Sequence, residues 1–295
     1  TLDFIRVQEG QYVTGAFRKM NPDIGAGLGD VGNDIAVHGD EVWMVVNNSG
    51  IVEVVSAKDE TEIAAISVPT PRNIAFDDQY AYITSWAGAY ATGGYDESGY
   101  YTITDSSNPK GRVYRIDLKT KTVAGSVEVG YQPEGVSCYD GRLYVANSGG
   151  ISSQLPPLYA YDNTLSIIDT KSFKVVDTQE VQVNLKNVWS DGKGTIYVTT
   201  MGNYWDVHSG LYALPAADPS RVRKVGEDSP FQEGAMHVSC SFLSGDTVYC
   251  IGTEDEYVWN ASHLYYVSCY QLDFNDYARL WSVTAGVCPG HFAFY

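Results

Sequence analysis

The chain has 295 residues and a formal net charge of −17, from 19 Lys and Arg against 36 Asp and Glu. Because phosphate groups are bound by clusters of Lys and Arg, this acidity argues against nucleic acid and anionic membrane surfaces as partners. No run approaches the roughly 18 apolar residues that a membrane-spanning helix needs, and Val, Ile, Tyr, Thr and Trp alternate at the period of β-strands.

The beginning of the chain resembles the second half of a structural unit. Residues 1–5 match the third strand of the units that follow, and residues 11–17 match a fourth strand. We therefore expect the chain to open halfway through a four-stranded sheet.

A four-stranded unit then recurs five times, beginning near Asn33, Asn73, Glu134, Lys186 and Met236. The predicted second strands, each preceded by a tight polar turn, are 43–46, 82–85, 143–147, 196–200 and 248–252. The predicted third strands are 51–56, 111–118, 163–170, 209–216 and 263–270. The predicted fourth strands are 62–68, 122–129, 174–181, 221–227 and 278–284. Self-similarity at about 40 residues with four strands per unit predicts an all-β fold, the β-propeller with four-stranded blades.

The end of the chain leaves two closures open. Residues 290–295 resemble another first strand. If this strand joins the opening half-blade, the ring has six blades. Because an open ring exposes unpaired backbone donors, we expect seven blades in a single domain spanning 1–295, with further residues belonging to it at both ends.

The connections between second and third strands carry most of the extra length, at 86–110, 148–162, 201–208 and 253–262. In a propeller these connections and the loops from fourth to first strands emerge on the same side, which we call the loop-rich face. Loops normally use small polar residues, whereas these contain many Tyr and Trp. The aromatic side chains either cap the core or form a recognition surface, and we interpret the set as a binding face.

The predicted ligand-binding residues lie in or beside these connections. The aromatic members are Trp86, Tyr95, Tyr131, Tyr159, Tyr161, Tyr204, Trp205, Tyr257 and Trp259. The polar members are Asn47, Asn48, Arg72 and Asn147, with Asn203 and Asp206 as further candidate contacts.

Few patterns indicate catalysis. Asp34 and Glu134 lie at the starts of first strands, where they serve either as an acid–base pair or as acceptors for backbone amides. His237 and His291 also lie near the predicted axis, but no set of residues has the spacing of metal ligands. We therefore predict no metal, no cofactor and no enzymatic activity.

The five cysteines have no metal-binding spacing either. Cys240 and Cys250 flank one hairpin turn, so they form either a disulfide or two thiols.

Four segments go beyond the repeat: Gly27 to Ile35, Tyr131 to Val136, Leu143 to Gly150 and Asn163 to Asp169. With them the chain resembles the YncE-like β-propellers of Bacteroidetes, and most closely the BtuG-type surface lipoproteins. That resemblance implies seven blades, capture of cobalamin or a related corrinoid, and delivery to a TonB-dependent outer-membrane transporter. It also implies a location at the cell surface, through a lipid anchor on the outer membrane that is not part of this chain.

Two other functions remain open at this point. One is a propeller enzyme of the lactonase or lyase type, with an axial site formed by Asp34, Glu134, His237 and His291. The other is a surface scaffold whose aromatic loops contact another protein.

Overall fold

The computed structural model describes residues 2, 4–6, 11–13, 15–25, 27–87, 92–95, 97, 101–105, 110–151, 159–160, 162–182, 184–200, 210–225, 236–244, 247–258, 262–272 and 277–285. These residues form antiparallel sheets and one short helix. The opening segment contains strands β1 (Phe4–Arg6) and β2 (Gln11–Val13), which pair with each other, and helix α1 (Ala16–Met20).

Five four-stranded sheets follow, each ordered from first to fourth strand as in propeller blades. Blade 1 contains β3 (Gly32–His38), β4 (Glu41–Val46), β5 (Ile51–Ser56) and β6 (Glu62–Ser67). Blade 2 contains β7 (Pro71–Phe76), β8 (Tyr80–Ser85), then an added pair β9 (Thr92–Tyr95) and β10 (Tyr101–Asp105), then β11 (Arg112–Asp117) and β12 (Thr122–Glu128). Blade 3 contains β13 (Pro133–Tyr139), β14 (Arg142–Asn147), an added pair β15 (Gly150–Ile151) and β16 (Tyr159–Ala160), then β17 (Thr164–Asp169) and β18 (Lys174–Glu180).

Blades 4 and 5 complete the described part of the chain. Blade 4 contains β19 (Leu185–Ser190), β20 (Thr195–Thr200), β21 (Gly210–Pro215) and β22 (Arg223–Lys224). Blade 5 contains β23 (Met236–Ser244), β24 (Thr247–Val258), β25 (Ser262–Leu272) and β26 (Tyr277–Ala285). The predicted all-β propeller blades are confirmed. The number of blades in the whole ring and the single domain over 1–295 stay predictions, and residues 290–295 lie outside the described part.

An aromatic residue at the same place in successive second strands forms the core between blades. Trp43, Tyr82 and Tyr144 each occupy the third position of their strand and are fully buried. Trp43 packs with Ile74 and Ile83 of the next blade. A large apolar side chain at this position therefore fills the wedge between adjacent sheets, and burying it contributes about 2–3 kcal/mol.

Two predicted elements differ from the structure. The fourth strand predicted over 11–17 ends at Val13, because Gly15 adopts a left-handed backbone (φ 62°) and starts α1. Phe17 of this helix is buried with Leu2 and Met44 against blade 1. The connection predicted over 253–262 is mostly strand, since β24 and β25 remain paired as far as Val258 and Ser262.

The register of blade 5 bears on the open disulfide question. Cys240 lies opposite Ile251, and Cys250 lies opposite Ser241. The two cysteines are therefore not cross-strand partners, and a disulfide between them would require a shift of one residue in the register.

Blade 1 contains a buried acidic residue away from the axis. Glu53 lies in β5 directly opposite Met44 and is 3% exposed. Within the described residues its Oε1 atom has no hydrogen-bond partner. Burial, assisted by the neighbouring Glu62 carboxylate, raises the pKa of Glu53 to about 7.

This raised pKa predicts that Glu53 destabilises the fold at alkaline pH. The folded protein takes up the proton more readily than the unfolded chain, so stability falls as pH rises from the ordinary carboxyl pKa to the folded pKa. We expect Glu53→Gln to raise the free energy of unfolding by about 2 kcal/mol near pH 8 and to have little effect near pH 5. Urea unfolding at both pH values measures this difference. The exposed Glu180→Gln serves as a control, and equal pH profiles for the two variants would refute the prediction.

Candidate functional site

Each of the first four blades places a polar residue at the same point of its first strand. The first strands start with the pairs Gly32–Val46, Pro71–Ser85, Pro133–Asn147 and Leu185–Thr200. The regular register is interrupted directly after each pair, and such bulges redirect side chains. The residues that follow these pairs are Asn33, Arg72, Glu134 and Lys186.

Three of these residues form an ion cluster across blades 2, 3 and 4, which we call the axial triad: Arg72, Glu134 and Lys186. Arg72 donates from Nη2 to both carboxylate oxygens of Glu134 at 3.0 Å and from Nε to Oε2 at 3.2 Å. Lys186 donates from Nζ to Oε2 at 3.1 Å. The first strands of three successive blades are therefore joined through one carboxylate.

The electrostatics of the axial triad keep Glu134 ionised. Burial of this carboxyl, whose side chain is 4% exposed, favours the neutral acid. The charges of Lys186 and Arg72 and their hydrogen bonds outweigh burial and hold the pKa of Glu134 below its ordinary value. A carboxylate held in this way is a poor general acid near neutral pH.

The second axial carboxylate, Asp34, joins blades 1 and 2. Its Oδ2 accepts hydrogen bonds from Asn73 Nδ2 at 3.1 Å and from the Ile74 backbone amide at 2.9 Å. Its Oδ1 accepts a further bond from the Ile35 amide at 2.8 Å. Asp34 thus acts as an acceptor for backbone and amide donors, which was one of the two roles that the sequence left open.

The other two residues of the hypothetical axial enzyme site are histidines. His237 lies in β23 opposite Thr253, and His291 lies outside the described residues. Within the described ranges no group of three or more His, Cys, Asp or Glu could hold a metal ion. In the same ranges, no helix is long and apolar enough to cross a membrane.

Arg72 also connects the axial triad to the first long insertion. Its guanidinium carbon lies 4.4 Å from the centre of the Trp86 ring, in a cation–π arrangement. Trp86 is the first residue after β8, and its amide donates to Thr70 O at 3.2 Å. Two residues predicted as ligand contacts, Arg72 and Trp86, are therefore in direct contact with each other at the start of the insertion.

The insertions emerge at the end of the blades where the axial triad lies. The first strands of blades 2, 3 and 4 start at the triad, and those starts pair with the ends of β8, β14 and β20. The connections that leave these second strands therefore begin at the same end. Blades 2 and 3 use them to add the pairs β9–β10 and β15–β16.

Two predicted polar contacts, Asn47 and Asn147, have structural roles. Asn47 is 2% exposed and donates from Nδ2 to Pro71 O of the next blade at 2.9 Å. Asn147 is fully buried and donates to the hydroxyls of Thr164 and Ser166 at 3.0 and 2.9 Å. Their amides are therefore engaged in hydrogen bonds within the protein, and a direct contact with a ligand stays a prediction.

Asn147 nevertheless helps to position an exposed aromatic residue. Its Oδ1 accepts from the Gly130 amide at 3.2 Å, and Asp162 Oδ2 accepts from the Tyr131 amide at 2.7 Å. A Cβ at Gly130 would lie 2.3 Å from Asp162 Oδ2 and 2.5 Å from Asn147 Cγ, so a larger residue would displace both side chains. The Tyr131 side chain is 39% exposed. The two hydrogen bonds therefore fix the backbone at Gly130 and Tyr131 while the Tyr131 side chain faces solvent.

Four other predicted contacts lie within the described residues. Asn48 is exposed, and its Nδ2 lies 3.3 Å from Asp30 Oδ2. Tyr95 lies in β9, Tyr159 in β16 and Tyr257 in β24. The predicted contacts outside the described residues are Tyr161, Asn203, Tyr204, Trp205, Asp206 and Trp259.

Sequence reasoning did not identify Lys186 as a member of the site. It appeared only as the start of a blade, and Glu134 only as half of a hypothetical acid–base pair. Aligning the repeats would have found both, since Arg72, Glu134 and Lys186 occupy equivalent positions with alternating charge.

Comparison with known proteins supports the fold. No protein-family model matches the chain, and no curated protein matches it. Among solved structures, hydrazine synthase of Kuenenia stuttgartiensis is similar, at 17% identity and a TM-score of 0.57, over 87% of this chain and 69% of that one. The WD40 domain of Neurospora crassa Pan2 is similar at 12% identity and a TM-score of 0.51, over 92% and 70% of the two chains.

A third solved structure comes from a bacterium of the genus Bacteroides. It is a structural-genomics protein of unknown function from Bacteroides thetaiotaomicron VPI-5482, at 12% identity and a TM-score of 0.51. The match covers 86% of this chain and 57% of that one. At these identities the three structures establish the class of fold alone, a β-propeller.

Proposed function

We propose that this protein is a non-enzymatic binding protein that captures cobalamin or a related corrinoid on its loop-rich face. In this proposal it works at the cell surface, as an outer-membrane lipoprotein, and delivers the ligand to a TonB-dependent transporter. The observation that carries the proposal is that the long insertions of blades 2, 3 and 4 leave their second strands at the end where the Arg72–Trp86 contact and the axial triad lie.

The chemistry of this face suits a large, flat ligand that carries many amides. Binding sites of this kind combine aromatic surface with a few fixed polar groups. Tyr131 is exposed just before the first strand of blade 3, and Tyr95 and Tyr159 lie in the added strand pairs. Arg72 is fixed by Glu134 and Trp86, so its orientation does not depend on a ligand.

The identity of the ligand and the location rest on the resemblance to the YncE-like and BtuG-type propellers. The segments that carry the resemblance include the first strands of blades 1 and 3, with Asn33, Asp34 and Glu134. The axial hydrogen bonds of Asp34 and the ion pairs of Glu134 favour binding over an acid–base pair, because both carboxylates already serve as acceptors within the protein.

Calorimetric titration with cobalamin tests the proposal. We expect saturable binding to the intact chain, and a loss of at least about 100-fold when Tyr95, Trp205 and Trp259 are all changed to Ala, since aromatic anchors dominate binding energies. Trp281→Ala is the control, because Trp281 is 45% exposed on the outermost strand of blade 5.

Three results would contradict this expectation. Unchanged affinity in the triple variant would indicate that cobalamin binds elsewhere than at the insertions. No thermal stabilisation by corrinoids, haem or oligosaccharides would favour the protein scaffold. Turnover of a lactone panel would favour the enzyme.

A further inference from the structure

The axial triad has more hydrogen-bond donors than its one carboxylate can accept. Arg72 uses Nε and Nη2 for Glu134, and among the described residues no acceptor meets the two N–H groups of its Nη1 atom. Lys186 has three N–H groups, and within the same residues only Glu134 accepts one of them. The triad therefore carries a net charge of +1 and retains donors for a further acceptor.

The exposure of the triad shows which groups a ligand reaches. The Glu134 side chain is 4% exposed, Arg72 is 12% exposed and Lys186 is 32% exposed. The carboxylate thus lies deepest, and the solvent-accessible part of the cluster is cationic. Because Trp86 stacks on the Arg72 guanidinium, the orientation of that cation is fixed before any ligand arrives.

The cationic surface of the axial triad contrasts with the negative charge of the whole chain. A protein with a net charge of −17 repels free anions on average. Within a partly buried site, however, a hydrogen bond to a charged group is about twice as strong as a neutral one. The position therefore suits an anionic group that belongs to a larger ligand and is held by other contacts as well.

We propose that the axial triad is a subsite for an anionic group, a carboxylate or a phosphate, of the ligand bound on the loop-rich face. Arg72 Nη1 and Lys186 Nζ donate to the anionic oxygens, and Glu134 holds both cations in place without contacting the ligand. The inference deepens the proposed function, and it rests on that function only in assigning the anionic group to a ligand of the same face.

The test uses small anions as probes on the intact chain at low salt. Calorimetric titration with citrate and, separately, with inorganic phosphate should show saturable binding, and the tighter probe identifies the kind of anionic group. We expect Lys186→Gln to weaken this binding about tenfold and Lys186→Arg to retain it. Lys174→Gln is the control, because Lys174 is an exposed lysine at the start of an outermost strand.

A second variant covers the case in which Lys186→Gln does not fold. Arg72→Lys keeps the positive charge but removes the guanidinium fork, so we expect several-fold weaker binding of the same probe. No saturable binding of either probe overturns the proposal, and so does equal affinity in the parent protein and in folded Lys186→Gln or Arg72→Lys.

Titration of the same proteins with cobalamin separates this subsite from the proposed function. Anion binding without cobalamin binding would leave the subsite standing and reject corrinoid capture. Cobalamin binding without anion binding would reject the subsite and leave corrinoid capture standing.

Discussion

Glu134→Gln should lower the free energy of unfolding by about 3 kcal/mol, since removing one partner of a buried ion pair leaves the other charges uncompensated. Here the change leaves both Arg72 and Lys186 without the negative charge that they share. It also breaks the only ion-pair link among the described residues that joins blades 2, 3 and 4. Urea unfolding near neutral pH measures the loss.

The pH dependence gives this prediction a distinct signature. The folded pKa of Glu134 is lowered, so its stabilising contribution is present above the ordinary carboxyl pKa and is lost as pH falls through the folded pKa. The difference between the parent protein and Glu134→Gln should therefore shrink in acid.

A matched control exists on the outside of blade 2. Glu128 lies 3.9 Å from Lys110, and both side chains are more than half exposed, at 58% and 52%. We expect Glu128→Gln to change the free energy of unfolding by less than about 0.5 kcal/mol. Equal effects of the two substitutions would mean that the axial triad contributes no more than a surface pair.

Gly135→Ala should cost about 3 kcal/mol, because it adds an atom where two first strands already touch. A Cβ at Gly135 would lie 2.7 Å from Lys186 O, 2.7 Å from Val188 N and 2.8 Å from Asn187 Cα. All three are backbone atoms of β19, so no side-chain rotation relieves the overlap. Thermal or urea unfolding would show the loss.

Gly32→Ala provides the comparison for this prediction. Gly32 starts the first strand of blade 1, and a Cβ there meets nothing within 4 Å. We expect a change within about 0.5 kcal/mol for this substitution. If Gly135→Ala were equally mild, then β13 and β19 would not approach each other as closely as the structure indicates, and the geometry of the axial triad would be wrong.

Local patterns were sufficient to predict the blades. Second strands such as 43–46 and 82–85 are short apolar runs that follow a tight polar turn, and both signals depend only on neighbouring residues. The predicted starts of the units and the predicted second and third strands accordingly agree closely with the structure in blades 1 to 4. The predicted outer strands agree as closely in blades 1 to 3, whereas in blade 4 only Arg223–Lys224 is strand among the described residues 221–225.

The polar site residues show which roles a sequence pattern does not distinguish. Asn47 follows the end of β4, and Asn147 is the last residue of β14. At such positions an Asn side chain can contact a ligand or form hydrogen bonds within the protein equally well. Their acceptors, such as Pro71 O, lie in another strand or another blade, so the sequence pattern around each Asn does not distinguish the two roles. Lys186 was missed for the same reason, because its partner Glu134 is 52 residues away.

The repeat, the second and third strands of blades 1 to 4 and the starting points of the insertions in blades 2 to 4 could be read from the sequence alone, because period, turn residues and length are local properties of the chain. That Arg72, Glu134 and Lys186 meet became visible in the assembled fold, where the interrupted register shared by their strand starts turns them toward one another. Contacts around a propeller axis join residues one blade apart, and the bulge that redirects each side chain is set by pairing with a neighbouring strand. The charge and spare donors of the axial triad are therefore properties of the assembled blades.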